Sequence, residues 1–596
     1  MKMKNVSIKN NQSDILLKIK EEKSLNRRLL SEKTGYSIGF VNKTVNELLN
    51  LGMIDENGII SNDVKKLIKD SSPKNAIILA AGQGMRMVPI NTLIPKSFIE
   101  VKEEKLIERI IKQLHYKKIT DITIVVGFMK EKFEYLIDKF DVKLVVNKDY
   151  GIKNNLYSLN LVKDKLCNTY IVPCDLWFEN NPFSEFELYS WYMVSDSFDV
   201  ESKIRINRKK ELKIVSNREE ANRMVGLCYL KEIDSQMLIK KIELLTSEKG
   251  KYGLFWEEAL ISDNKMFIPG KTIVDSTYME INTYEQLRAF DSGSNNLDSK
   301  AIKVIIDTFK CENKDIVNIE LLKEGMTNRS FCFDIKNEKY IMRIPGEGTE
   351  KLIDRKKEYE NYRAIKGCDL CDEPIYINSD NGYKITRFIN NARNCDAYNE
   401  EDIKICMKKL RTFHEMKLKV PHSFDIWEQI DYYEKLWLDK HSLYSDYEIT
   451  KKNVFKLKKF IDSLKTDYCL THIDAVCDNF LFYEKEGKQN LQLTDWEYSG
   501  MQDPHVDIAM FCIYSLYDKA RVDHLIDIYF EGNCSKNTRL KIYCYIAACG
   551  LLWSNWCEYK NSFGVEFGEY SLRQYRYAKE YFQYFVLNMG DNYGKK

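Results

Sequence analysis

In its last third the chain reads His472-Ile473-Asp474, then Asn479, then Asp495-Trp496-Glu497. Residues 468–482 have the pattern of strand, loop, strand, and Leu491-Gln492-Leu493-Thr494 alternates like a further short strand. Two hairpin strands of this kind bring Asp474, Asn479 and Asp495 together. Transfer of a phosphoryl group needs little covalent help. It asks for one carboxylate near the acceptor hydroxyl and oxygen ligands that hold Mg2+ on the nucleotide phosphates. The spacing therefore predicts a small-molecule kinase site, with Asp474 as catalytic base and Asn479 and Asp495 as metal ligands.

At 596 residues the chain is too long for one ordinary core, so several domains are expected. Charged residues make up 30% and hydrophobic ones 44%, with a net charge of only +2, which argues against a disordered or nucleic-acid-coating protein. No apolar run is long enough to span a bilayer and the first residues lead into polar sequence, so a cytoplasmic location with no membrane partner is expected. Sixteen Cys sit mostly in apolar contexts and read as reduced core thiols. The CxxC of Cys368 and Cys371 lacks a second pair and reads as a helix end. Polar seams at 70–74 and 291–296 divide the chain into residues 1–72, 75–290 and 297–596.

Residues 1–72 have helical spacing over 13–21, 25–32 and 37–49, with a turn at Gly35 and two short apolar strands around Asn57-Gly58. This order resembles a winged helix-turn-helix domain of the multiple-antibiotic-resistance-regulator type. The resemblance makes 37–49 the recognition helix, with Asn42, Lys43 and Asn46 on its exposed side, and implies contact with DNA or with a protein partner.

The second segment alternates apolar strands with helical stretches, which predicts an α/β sheet with parallel crossovers. Its strand 76–80 runs into Ala81-Gly82-Gln83-Gly84-Met85-Arg86, followed by Pro89 and by Pro95-Lys96-Ser97. Small residues at Ala80, Gly82 and Gly84 let main-chain N–H groups approach a nucleotide, Arg86 suits a triphosphate, and Lys96 suits charge growing on the transferred phosphorus. The order G-x-G-x-R, P, P-K resembles nucleotidyltransferases of the nucleoside-diphosphate-sugar pyrophosphorylase superfamily. With Lys105-Leu106-Ile107-Glu108-Arg109, Asn154-Asn155-Leu156-Tyr157-Ser158 and Ile171-Val172-Pro173-Cys174-Asp175, it is most similar to bacterial phosphocholine cytidylyltransferases. That resemblance implies a Rossmann-like α/β/α sandwich, CTP as substrate, and Asp175 as a Mg2+ ligand. One position departs from it: the usual Glu-Ile-Asp-Thr is here Glu280-Ile281-Asn282-Thr283. Asn282 keeps an oxygen ligand but loses the charge, so metal binding weakens unless Glu280 or another acid substitutes.

In the third segment, 322–328 and Ser330-Phe331-Cys332-Phe333 read as strand, Gly-containing turn and strand. Arg343 lies in the next strand, where a protein kinase places a lysine, and pairs with phosphate and with Glu358 or Glu360. Together with Gly346-Glu347-Gly348-Thr349 and with Asp495-Trp496-Glu497-Tyr498-Ser499-Gly500, Asp503-Pro504 and Asp507, this resembles the choline/ethanolamine kinases of the aminoglycoside phosphotransferase-like group. A two-lobed, protein-kinase-like fold with ATP as substrate is implied. Asp507 reads as structural and His472 as a scaffold for the loop. Trp553 and Trp556 share a helix face, where an arbitrary pair is more often core packing, but the resemblance makes them a cation-π cage for a quaternary ammonium. Tyr514 or Tyr517 is expected to complete that cage. Tyr229, Trp256 and Glu257 are comparable candidates in the second segment.

The expectation is a multidomain α/β and α+β enzyme that phosphorylates choline with ATP and then transfers a cytidylyl group from CTP to phosphocholine. Alternatives are an ethanolamine-specific version, and a transcription regulator that senses choline metabolites.

Overall fold

The computed structural model describes residues 8–92, 94–215, 220–248, 251–322, 328–346, 352–371, 373–437, 441–561 and 567–589. The chain forms two compact units that divide between Val304 and Ile305. Of the Gly-containing turn expected over 322–328, residues 323–327 lie outside the described residues, as do 347–349 of the 346–349 stretch.

Helices Asn10–Glu22, Arg27–Thr34, Ile38–Asn50 and Asn62–Asp70 open the first unit. Asn26 and Ser37 cap the second and third through their side chains, and Gly35 ends the second at φ 69°. The helices bury Ile15, Leu16, Ile19, Leu30, Val41, Val45 and Leu48 in one core, each contributing about 1.5–3 kcal/mol of apolar burial. The strand pair expected around Asn57-Gly58 reduces to one antiparallel bridge between Ile54 and Ile60. The Asp55 carboxylate takes the amides of Asn57 and Ile59, so they join no longer ladder. Asp14 accepts hydrogen bonds from Tyr36, Tyr189 and Lys210, tying the first helix to the sheet that follows.

That sheet begins as a parallel core, Lys143–Val146, Asp121–Val126, Asn75–Ala80 and Thr169–Pro173 in spatial order. The apolar runs in Asp121–Val126, Asn75–Ala80 and Thr169–Pro173 match burial on both faces, whereas the edge strand Lys143–Val146 is partly exposed. Ala221–Leu230 joins Thr169–Pro173 antiparallel and extends the sheet through Trp191–Asp199 and Lys265–Ile273. A separate ribbon pairs Leu176–Phe178 with Tyr278–Glu280. The polar seam at 70–74 is fixed to this sheet, because Tyr229 donates to the Ser71 carbonyl at 2.8 Å and Asn168 to that of Asp70 at 3.2 Å.

The second unit contains a five-stranded antiparallel sheet in the order Val317–Leu321, Asn328–Ile335, Glu338–Pro345, Lys384–Arg387, Tyr376–Ile377. Helix Arg355–Ala364, capped by Asp354, follows. From Glu400 onward the unit is mostly helical around a large apolar core, interrupted by the hairpin Phe480–Lys485 and Lys488–Leu493. Among the described residues the cysteines form no disulfide. Among the described residues, no helix is long and apolar enough to cross a membrane.

Candidate active sites

In the first unit the loop after strand Asn75–Ala80 folds back on itself. Gly84, at φ 62°, lies so close to Lys96 that an added Cβ would sit 2.9 Å from the lysine Cβ, so only glycine fits that turn. Ala80 is the buried last residue of the strand, and Gly82 is exposed in the loop. This fold delivers Lys96, whose ammonium bonds the Asp175 carboxylate and the Asn282 amide oxygen, the latter at 2.6 Å. Arg86 reaches the same Asn282 oxygen at 3.2 Å. Asp175 follows strand Thr169–Pro173, and the ribbon places Glu280 opposite Leu176 and the Ile281 amide on the Asp175 carbonyl at 3.1 Å.

Arg86, Lys96, Asp175 and Asn282 are thus brought together, and Glu280 joins them. Burial, and then the Asp175 charge, push the Glu280 carboxyl above its ordinary range. A cation between the two acids would relieve that repulsion, so Asp175, Glu280 and the Asn282 oxygen fit a divalent ion. Glu257 lies near this end of the sheet. Gly226, at φ 85°, would bring a Cβ to 2.7 Å from Pro173 and 3.8 Å from the Glu257 carboxylate. Burial, then the neighbouring Glu258 and Glu280, push Glu257 up to about 7, and its Oε2 has no partner among the described residues.

Two aromatic candidates of this unit, Tyr229 and Trp256, lie in its buried interior. Tyr229 pairs with Tyr170 at the start of the strand whose other end leads to Asp175, which puts it about 16 Å away along the strand. Its ring is fully buried, and its hydroxyl is spent on Ser71. Trp256 is 1% exposed and packs on Tyr192, so it offers no open face to a head group.

In the second unit a cavity of about 1200 Å³ is lined by Arg343, Asp474, Asn479 and Asp495, and also by Trp553 and Trp556. The hairpin explains the convergence of the acids. Asn479 immediately precedes one strand and Thr494 follows the other, with the Thr494 amide on the Asn479 carbonyl at 2.9 Å. Asn479 donates to the Asp474 carbonyl at 2.8 Å and to its carboxylate at 3.1 Å, leaving the amide oxygen available as a ligand. Ile473 and Asp495 both hold positive φ, 70° and 64°. Such backbone strain gathers at functional sites, where surrounding contacts over-determine it. Burial, then the Asp495 and Glu497 charges, raise Asp474 to about 7. Burial holds His472 neutral, down at about 4, and its ring meets the Thr494 carbonyl at 2.9 Å.

Arg343 forks onto Glu358 at 2.6 and 2.7 Å, whereas Glu360 pairs with Arg363 on the surface. Arg355 and Lys384 bond the same Glu358 at 2.9 and 3.2 Å, and Arg355 also holds Glu497 at 3.1 Å. Burial alone would raise Glu358, but Lys384, Arg343 and Arg355 outweigh it and hold the carboxyl well below its usual range. Oxygens of Glu358, Asp495 and Glu497 lie within 4.8 Å of one another. The three cations already neutralise the two glutamates, so Asp495 with Asn479 is the pair that fits a metal. Sequence reasoning missed Arg355 and Lys384. Each sits in a run of charged or polar residues that reads as surface.

Trp553 and Trp556 stand 5.5 Å apart at 71° on helix Lys536–Asn561, with Tyr498 against Trp553 at 5.7 Å. Tyr498, Tyr514 and Tyr570 share the cavity wall with them. Tyr517 does not: after helix His505–Tyr514 the chain reverses at Leu516, φ 54°, and the Tyr517 hydroxyl bonds the Ala397 carbonyl in the core.

These geometries define a nucleotidyltransferase-type site in the first unit and a kinase-type site in the second. Residues 76–183 match the MobA-like NTP transferase domain, and residues 319–539 match the choline/ethanolamine kinase family. A 2-aminoethylphosphonate cytidylyltransferase of Lancefieldella rimae is 30% identical over 234 residues, which are 37% of this chain and 92% of that protein. A choline-phosphate cytidylyltransferase of Streptococcus pneumoniae is 46% identical over 108 residues, 18% of this chain and 47% of that enzyme. Protein LicA of Haemophilus influenzae is 26% identical over 265 residues, 42% of this chain and 76% of its own length. The chain belongs to the cytidylyltransferases of the MobA-like NTP transferase family and carries a choline/ethanolamine kinase domain after them. It joins a nucleotidyltransferase domain and a kinase domain in one polypeptide.

Proposed function

We propose that the protein makes CDP-choline in two consecutive reactions. In the first, the choline hydroxyl oxygen attacks the γ-phosphorus of ATP, the bond to ADP breaks, and the hydroxyl proton passes to Asp474. In the second, a phosphate oxygen of phosphocholine attacks the α-phosphorus of CTP and pyrophosphate leaves, while Lys96 and Arg86 meet the growing negative charge. Mg2+, when bound, would neutralise nucleotide phosphates, held by Asp495 and Asn479 in the kinase site and by Asp175, Glu280 and Asn282 in the transferase site.

One observation carries the choice of alcohol: Trp553 and Trp556 line the same cavity as Asp474. Indole faces attract a quaternary ammonium without hydrogen-bond donors, whereas a polyamine acceptor would call for a cluster of acids. The transferase supports the same head group through the buried Glu257 carboxylate, and the name of the pneumococcal relative agrees with it.

We read the chain as residues 1–72, 75–290 and 297–596, working in the cytoplasm. The first of these is a winged helix-turn-helix whose Lys43 and Asn46 face outward toward DNA or a protein. A substrate panel tests the reaction assignment. Choline, ethanolamine and kanamycin are offered with ATP; phosphocholine, phosphoethanolamine and 2-aminoethylphosphonate are offered with CTP. The highest kcat/KM is expected for choline and phosphocholine. A preference for ethanolamine would reverse the head group, and turnover of 2-aminoethylphosphonate alone would remove the two-step pathway.

A further inference from the structure

The kinase loop is held from behind by a buried chain of side chains that do not line the cavity. Tyr529, on helix Lys519–Tyr529, meets His414 Nδ1 at 2.8 Å. His414, on helix Glu400–Glu415, meets Asp507 Oδ2 at 2.9 Å through Nε2. Asp507, on helix His505–Tyr514, accepts the backbone N–H of His472 at 2.9 Å on Oδ2 and that of Ile473 at 2.7 Å on Oδ1. His414 is 6% exposed, Tyr529 5% and Asp507 0%, so water does not substitute for these partners.

We infer that His414 and Tyr529 are positioning residues for phosphoryl transfer, acting through Asp507 on the loop that presents Asp474. The protons follow from the partners. A carboxylate accepts, so Nε2 carries the hydrogen toward Asp507, and Nδ1 pairs with the Tyr529 hydroxyl. The carboxylate is thereby fixed with Oδ1 on one loop amide and Oδ2 shared between the other amide and the imidazole. Ile473 needs such a clamp, because a β-branched side chain rarely adopts φ 70°. Without His414, Asp507 is free to rotate about its side-chain bonds. Ile473 then relaxes, and the next residue, Asp474, leaves its place beside the acceptor hydroxyl. Displacements of this kind act on turnover more than on binding.

The inference rests on the kinase reading and is tested on the whole 596-residue chain. His414→Leu removes both polar contacts, His414→Gln keeps an N–H donor toward Asp507, and Tyr529→Phe removes a single oxygen. Choline phosphorylation and cytidylyl transfer are measured on the same preparations, which makes the transferase an internal control. His414→Leu is expected to lower the kinase kcat by about tenfold or more with the ATP KM within about twofold, and His414→Gln to recover most of that loss. Tyr529→Phe is expected to lower kcat about threefold at unchanged KM. Cytidylyl transfer stays at its original rate in all three.

A His414→Leu kcat equal to that of the original protein overturns the inference, as does a His414→Gln variant no better than leucine. If the leucine variant does not fold, Tyr529→Phe decides, and an unchanged kcat there overturns the relay. Absence of kinase turnover in the unmodified protein would instead remove the kinase reading itself.

Discussion

Replacing Trp556 with leucine takes one aromatic face from the kinase cavity and leaves an apolar side chain in its helix. The two indoles sit 5.5 Å apart at 71°, and Trp556 is braced by Phe567 at 5.3 Å. A quaternary ammonium against a desolvated indole gains about 1–2 kcal/mol. Loss of one face of the pair should therefore raise the choline KM about 5- to 30-fold. The ATP KM should stay within about twofold, since nucleotide and acceptor share the cavity but not these rings. Dimethylbutanol, which keeps the shape of choline and lacks its charge, separates the contributions in the same steady-state assay. The unmodified protein should prefer choline, and Trp556→Leu should shrink that preference. Equal losses for choline and its neutral isostere would reduce the rings to packing. A rise in the ATP KM in step with choline would refute the cage.

The two sites should fail independently. Asp474→Ala should cut choline phosphorylation by about 100-fold or more and spare cytidylyl transfer, and Lys96→Ala should do the reverse, each read by product formation from its own substrates. Glu257, raised to about 7, is neutral below that pH and charged above it. The phosphocholine KM should therefore rise as pH falls from about 8 to about 6, and Glu257→Gln should give a high, pH-independent KM. Asn282→Asp adds a third charge beside Asp175 and Glu280 and should lower the Mg2+ concentration for half-maximal cytidylyl transfer about fivefold or more. An unchanged Mg2+ titration would place the ion elsewhere.

The parts of the sites that lie in local sequence were legible. Asp474, Asn479 and Asp495 are joined by one hairpin, and Gly84, Arg86 and Lys96 by one loop, so spacing alone implies their meeting. Contacts between distant elements were not. Lys384 reaches Glu358 from a strand, and Arg355, at a helix start, reaches Glu497, positions where charge ordinarily means solvent. Aromatic residues were the weakest ground. A tyrosine or tryptophan pattern does not distinguish a cavity wall from a core. Trp553 and Tyr514 line the cavity, whereas Tyr229, Trp256 and Tyr517 fill interiors with their polar atoms spent on backbone or absent from any open face. The helix Asn62–Asp70 was also missed, although Ser61 caps it and Val64 and Ile68 mark its buried face.

The central claim is that one chain carries choline to its cytidylyl-activated form. The direct test incubates the purified protein with choline, ATP, CTP and Mg2+ and follows the products by mass spectrometry. Phosphocholine should appear first, followed by CDP-choline with an equal amount of pyrophosphate, and omission of ATP should abolish both unless phosphocholine is supplied. Phosphocholine that accumulates without CDP-choline at any Mg2+ concentration, or no phosphorylation of choline at all, would contradict the account.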